Sequence, residues 1–364
     1  MREIASTRRP FARLVTLTGA IAFAVLIAAA CGGSGNDAAD VAGSASVRAV
    51  DETTAADDDQ AMNEAAQAVA AQSADEVEPP TRAPAEPPAQ LDFEQVAVWG
   101  EDGLFDGPNQ IDVGPDGNIY LTEFFGGRVF KFSREGEELA RWGGVGAEPG
   151  QLQAPTAIAV DVDGDGDGFV AESGGHRVQK FTANCELVTA WGMRGSDPGQ
   201  FVSAMGLDIG ADGRVYVADF GNSRVQVFTT DGAFLFSFGS QGSEPGQFFA
   251  PIGLDLDLDG SVLVVDTGNA RVQRFTPEGE LLAVYDGLGL PNPQIISSAP
   301  GGVWYLADPR EGRVVAFDSE GQRVAFFPLT ISYRAPHGTA TGLDGAVYLA
   351  DTGNNVVRKF LPSD

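Results

Sequence analysis

The chain is poor in the residues that most site chemistry needs. Of 364 residues, two are Cys (Cys31 and Cys185) and two are His (His176 and His337). Two cysteines cannot build a disulfide framework. Two histidines cannot supply a three-His zinc centre. Bases are scarce as well: 23 Lys and Arg stand against 51 Asp and Glu, for a net charge of −28. A nucleic-acid binder needs cationic surface to displace counterions from phosphates, so that class is disfavoured, as is docking by charge on an acidic membrane. Only one long apolar run occurs, Leu14 to Ala30. Glycine is abundant at 47 residues, nearly twice the usual share of about 7%, which favours tight turns over helices.

The N-terminal part reads as address and tether. Arg2, Arg8, Arg9 and Arg13 precede the apolar run, and small residues close it, so residues 1–30 form an export signal. Ala28-Ala29-Ala30-Cys31 resembles a bacterial lipobox. That resemblance implies cleavage before Cys31 and lipidation of its thiol. The expected location is the outer face of the bacterial cytoplasmic membrane, with the lipid as sole membrane contact. An uncleaved transmembrane anchor is the alternative. Thr7 to Arg13 resembles a twin-arginine motif with imperfect Ala12 and Arg13, which leaves the export route open. Residues 31–90 are rich in Ala, Pro and acids, with twelve acids against two bases beyond Cys31. Such a segment buries too little apolar surface to offset ordering entropy and is expected to be a disordered linker.

Residues 91–364 repeat a phrase six times: two small or apolar residues and an acid, a turn, then Arg-Val, or Val-Val in the last unit. The acids are Glu123, Glu172, Asp219, Asp266, Asp308 and Asp351, spaced by 49, 47, 47, 42 and 43 residues. A period near 45 with short strands and Asp-Gly or Gly-Asn turns predicts four-stranded propeller blades. The expected fold is all-β, a six-bladed β-propeller. The sixth unit stops after its third strand, and Phe93 to Gly100 reads as a fourth strand without a unit. That N-terminal strand is expected to complete the last blade and close the ring, which removes exposed edges.

Pro-Gly-Gln-Phe, then Asp-Gly-x-Val-Tyr-Val-Ala-Asp-x-Gly-Asn-x-Arg-Val-Gln-x-Phe, resembles the NHL repeat. Pro198 to Phe228 and Pro245 to Phe275 match nearly throughout. Units five and six depart from it at Asp308-Pro309-Arg310-Glu311 and at Val356. The resemblance implies the fold and leaves function open, because propellers host many functions. Among similar propellers, amidating lyases hold zinc on three His, which this chain lacks. Lactonases use an axial divalent ion, and Asp106-Gly107-Pro108-Asn109 weakly resembles their motifs. NHL ectodomains of sensor kinases suggest a binding scaffold.

The acid-x4-Arg pairs of five units are expected to pin turns rather than to react. Asp161 to Asp167 mimics a calcium loop, with Asp163, Asp165 and Asp167 as candidate ligands. The stretch aligns without insertion on Asp112–Glu123, so an exposed acidic turn is the competing expectation; no other cofactor is implied. The face of the b–c turns and long d–a loops is the candidate ligand face, carrying Phe124, His176, Phe220, Asn222, Arg310, Tyr333, Arg334 and His337. Its expected partner is a protein, peptide or cell-envelope ligand, with no nucleic acid, bound by a monomer. The alternative is a hydrolase or lyase with an axial divalent metal.

Overall fold

The structure is a computed structural model and describes residues 93–161, 166–327, 333–342 and 344–363. The signal, Cys31 and the linker lie outside the described residues, as do Asp163 and Asp165.

Six four-stranded antiparallel sheets form the blades. Blades 1 to 5 span 108–143, 155–191, 204–238, 251–285 and 295–326. Within each, strands a, b, c and d pair in chain order. Blade 6 takes strands a to c from 336–362 and its fourth strand from Phe93–Trp99, which pairs antiparallel with Val356–Pro362.

Each blade is sandwiched between two others, so both faces of its inner strands must be apolar. Strand b reads Val215-Tyr216-Val217-Ala218 or Val262-Leu263-Val264-Val265 for that reason, and all eight residues are buried. The core is six separate clusters, each straddling one pair of adjacent blades. Ala157, Phe169 and Val178 of blade 2 meet Leu207, Val215 and Phe228 of blade 3. Ile111, Leu121 and Phe132 of blade 1 meet Tyr348, Ala350 and Val357 of blade 6. The ring therefore closes by the same packing that builds it.

One local expectation is corrected. In blade 2 the a–b turn closes through Asp161 N–H to Asp167 O (2.9 Å), where blade 1 uses Gly114 N–H to Asn118 O (2.9 Å). The blade 2 turn is longer, and Ala159, opposite Phe169, takes the place of Asp112, opposite Tyr120. The stretch 161–167 therefore contains two residues more than its blade 1 counterpart and is not an ungapped copy of Asp112–Glu123.

Cys185 exposes another constraint. It sits at φ 68° in a c–d turn. Its counterparts in blades 1, 3, 4 and 5 are Gly136, Gly232, Gly279 and Gly321, all at positive φ. A side chain there is strained. Cys185→Gly is expected to raise stability by about 1 kcal/mol, read from urea unfolding; a loss would show that the half-buried thiol packs favourably.

Candidate functional site

Antiparallel order puts the d–a loops and b–c turns on one face and the a–b and c–d turns on the other. The repeat acids close strand b on the first of these faces. All six are buried with no exposed surface. Asp266 shows how the repeat uses them. Its Oδ2 accepts from Arg271 Nε (2.7 Å), Asn269 Nδ2 (2.8 Å) and Gln273 Nε2 (3.1 Å), and its Oδ1 from Phe249 N–H (2.7 Å). Arg271 and Gln273 then reach the Gln247 carbonyl at 3.0 and 2.7 Å. The acid, Asn, Arg and Gln of the repeat thereby tie the d–a loop to the b–c turn. Asn222 belongs here, since its Nδ2 binds Asp219 Oδ2 (2.8 Å) and Gly195 O (2.9 Å). In blade 6, where Val356 stands in the Arg place, Arg358 reaches Asp351 instead (2.8 Å) and also Gln95 of the N-terminal strand (2.9 Å). In blade 5 the acid is held by amides, with Arg310 N–H and Glu311 N–H both at 3.1 Å from Asp308 Oδ1. Burial holds the Asp219 and Asp266 carboxyls above the usual range despite these bonds.

The candidate ligand face separates into buried and exposed members. Phe124 is buried, and its neighbour Phe125 is 41% exposed, with the rings edge-to-face at 5.1 Å. Phe125 holds the place that Gly221 and Gly268 hold in blades 3 and 4. Arg310 and Arg334 are exposed; Phe220 and His176 are half-buried. His176 sits at φ 52°, a turn-closing conformation shared by Gly127, Ser223, Ala270, Gly312 and Asn355. Its Nδ1 accepts Ser203 N–H at 3.1 Å. Tyr333 packs inward on Phe360, with centroids 6.4 Å apart, and burial raises its phenol well above the usual value. Val145 (68% exposed) and Met193 (62%) sit in the d–a loops of the same face and were not singled out from sequence. Their signal was present: each is a large apolar residue directly after the strand d Gly or Gly-Gly. Asp167 ion-pairs Lys180 at 3.0 Å.

The six a strands wall a central channel. His337, second in its strand, is buried; Nδ1 lies 2.8 Å from Ala335 O and 3.1 Å from Thr352 Oγ1. Burial pushes its imidazole down to about 4, so it is neutral at pH 7. Toward the a–b end, Asp112, Asp208 and Asp255 line a cavity of about 70 Å³ with Gln110, Ser297, Ser298, Thr339 and Thr341. Each acid also clasps the next blade: Asp112 accepts Val160 N–H, Asp208 accepts Leu256 N–H, and Asp255 accepts Ser298 N–H, all at 2.7 Å. Burial, then the neighbouring carboxylates, raise Asp208 well above the usual carboxylate range. Sequence reasoning missed this trio as a site, although each member stands eleven residues before a repeat acid. Among the described residues, no three His, Cys, Asp or Glu side chains converge to hold a metal. The axial metal of a lactonase-like centre and the three-His zinc therefore do not fit the donors described.

Comparison with known proteins agrees with the architecture. Residues 201–228 match the NHL repeat model. Peptidyl-glycine alpha-amidating monooxygenase B of Xenopus laevis is 35% identical over 77 residues, which is 19% of this chain and 9% of that protein. The chain thus spans under a tenth of that curated relative. A streptogramin B lyase structure superposes with TM-score 0.54 at 15% identity, covering 75% of this chain and 98% of that one. A gluconolactonase from Xanthomonas campestris gives 0.56 at 15%, covering 71% and 87%. A nidogen/laminin complex gives 0.51 at 19%, covering 64% and 84%. Likeness at these identities shows the fold alone. The chain is a six-bladed β-propeller that carries an NHL repeat.

Proposed function

We propose that this propeller is exported, anchored by lipid on Cys31, and captures a protein or peptide on the face of its b–c turns and d–a loops. The observation that carries the reading is the exposure there of Phe125, Val145 and Met193, at 41, 68 and 62%. Blade packing does not account for large apolar side chains in solvent on loops that the repeat otherwise fills with Gly and polar residues. Val145 lies against Gly127, two residues from Phe125; a methyl on Gly127 would stand 2.9 Å from the Val145 backbone. Exposed apolar and Arg side chains, here with Arg310 and Arg334 on the same face, are the usual anchors of interfaces.

The test is crosslinking of the full chain in its host membrane. Phe125→Asp/Met193→Asp is expected to lose the wild-type adducts, while Leu282→Asp, on an outer strand, keeps them. Equal adducts in all three would refute the face. Cys31→Ala is expected to release the chain from the membrane fraction. A lyase or lactonase ranks second, supported by the neutral imidazole of His337 in the channel. Turnover of a lactone panel that His337→Asn abolishes would favour it.

A further inference from the structure

The loop face is not electrically uniform. In ring order, the loop from blade 6 to blade 1 exposes Glu101, Asp102 and Asp106, the next loop exposes Glu148, and the one after it Asp197. The Arg residues that open strand c on this side, Arg128, Arg177 and Arg224, are already paired with buried Glu123, Glu172 and Asp219. Blades 5 and 6 differ, because exposed Arg310 and Arg334 stand there with exposed Asp286 and Glu311 and the charges balance. Phe125, Val145 and Met193 all lie on the acidic side.

The bonds that shape these loops run through the main chain. Glu148 N–H donates to Gln151 Oε1 (3.2 Å), and its carbonyl accepts Gln151 N–H (2.9 Å). Asp197 does the same with Gln200, at 3.2 and 3.0 Å. Asp106 N–H donates to Glu123 Oε1 (2.6 Å). Val145 also pairs by its backbone, in a parallel bridge to Leu152 that Arg194 and Gln241 repeat in the next two loops. Folding therefore requires neither the apolar side chains nor the acids around them.

We propose that the captured segment is cationic and amphipathic: its apolar side chains cover Phe125, Val145 and Met193, and its Lys or Arg side chains meet Asp106, Glu148 and Asp197. This rests on the capture reading above and adds the chemistry of the partner. Charge complementarity selects the occupant, since an acidic segment would be repelled on approach and a second copy of this chain brings its own −28.

The probe is a fluorescein-labelled peptide of Leu and Lys, about 14 residues long with Leu at i, i+3 and i+4, and its twin with Glu in place of Lys. Fluorescence anisotropy with the full chain is expected to show the Lys peptide binding at least about tenfold tighter, a preference that shrinks as NaCl rises from ~50 to ~500 mM. Glu148→Gln/Asp197→Gln is expected to weaken that binding about threefold to tenfold. Glu135→Gln/Glu137→Gln removes the same charge from a c–d turn on the other face and should leave it unchanged. Phe125→Ser/Met193→Ser keeps the charge and should weaken it about tenfold. All six side chains are exposed, so each variant should fold as wild type does. No preference for Lys, equal losses in the two Gln variants, or unchanged binding in the Ser variant would each overturn the inference. Host crosslinks that need Phe125 and Met193, without a preference for Lys, would leave capture standing and refute the cationic partner. Lys-peptide binding at this face without such crosslinks would do the reverse.

Discussion

Asp266→Ala is expected to destabilise the propeller by about 3–5 kcal/mol, the range for breaking a buried ion pair. The side chain has no exposed surface and Arg271 has 7%. Truncation would strand the guanidinium in the blade. It would also leave Asn269 Nδ2 and Phe249 N–H without the acceptor each now uses at 2.8 and 2.7 Å. The carboxyl is held above its usual range because burial outweighs its partners. The pair therefore adds little net energy over an apolar substitute, yet its breakage is severe. Blade 5 supplies the internal contrast. Asp308 is held by amide N–H donors at 3.1 to 3.3 Å. Asp308→Ala is expected to cost only about 1–3 kcal/mol, the price of unsatisfied polar groups. Urea unfolding of both variants measures the difference; equal losses would show that the ion pair is not what pins the turn.

The second large effect is on acid stability, through His337. Its imidazole titrates near 4 when folded and near 6.5 when unfolded. Between those values the unfolded chain binds the extra proton, so stability falls as pH falls. The contribution is intact above about pH 6.5 and is lost progressively toward pH 4, about 3 kcal/mol in all. The channel carboxyls are shifted the other way and oppose this slope. The comparison of wild type with His337→Asn isolates the His part. Unfolding free energies at pH 7.5 and 4.5 should differ less in the variant by about 2–3 kcal/mol. Identical pH dependence would mean that the imidazole is hydrated when folded.

The fold was legible because its cues are local and repeated. Asp-Gly and Gly-Asn turns, Pro-Gly-Gln-Phe loops and the recurring acid each specify one strand boundary, and six copies outvote any weak one. Residues that act across blades were less legible. Asp112, Asp208 and Asp255 stand on the a strands of three separate blades, and only the packing of blades around the axis brings them to one cavity. Arg358 takes over for the missing Arg because β register lets a residue two places on point to the same side; a motif search sees only Val356. Of Phe124 and Phe125, the sequence reading marked Phe124, which is buried, whereas Phe125 faces solvent. That is decided by turn geometry, with Gly127 at φ 58° ending it. His337 read as a candidate of the ligand face, yet it is buried with Nδ1 against Ala335 O and Thr352 Oγ1.

Repeat residues hold the ring, and under the proposed function the exposed apolar residues of the loop face bind the partner. A substitution scan of the described propeller in the full chain, reading folded protein and partner crosslinking at once, tests this claim most directly. Asp219, Arg224, Asp266 and Arg271 should lose fold and crosslinking together. Phe125, Val145 and Met193 should lose crosslinking while folded protein stays at the wild-type level. A face on which no substitution separates the two readouts would contradict the claim.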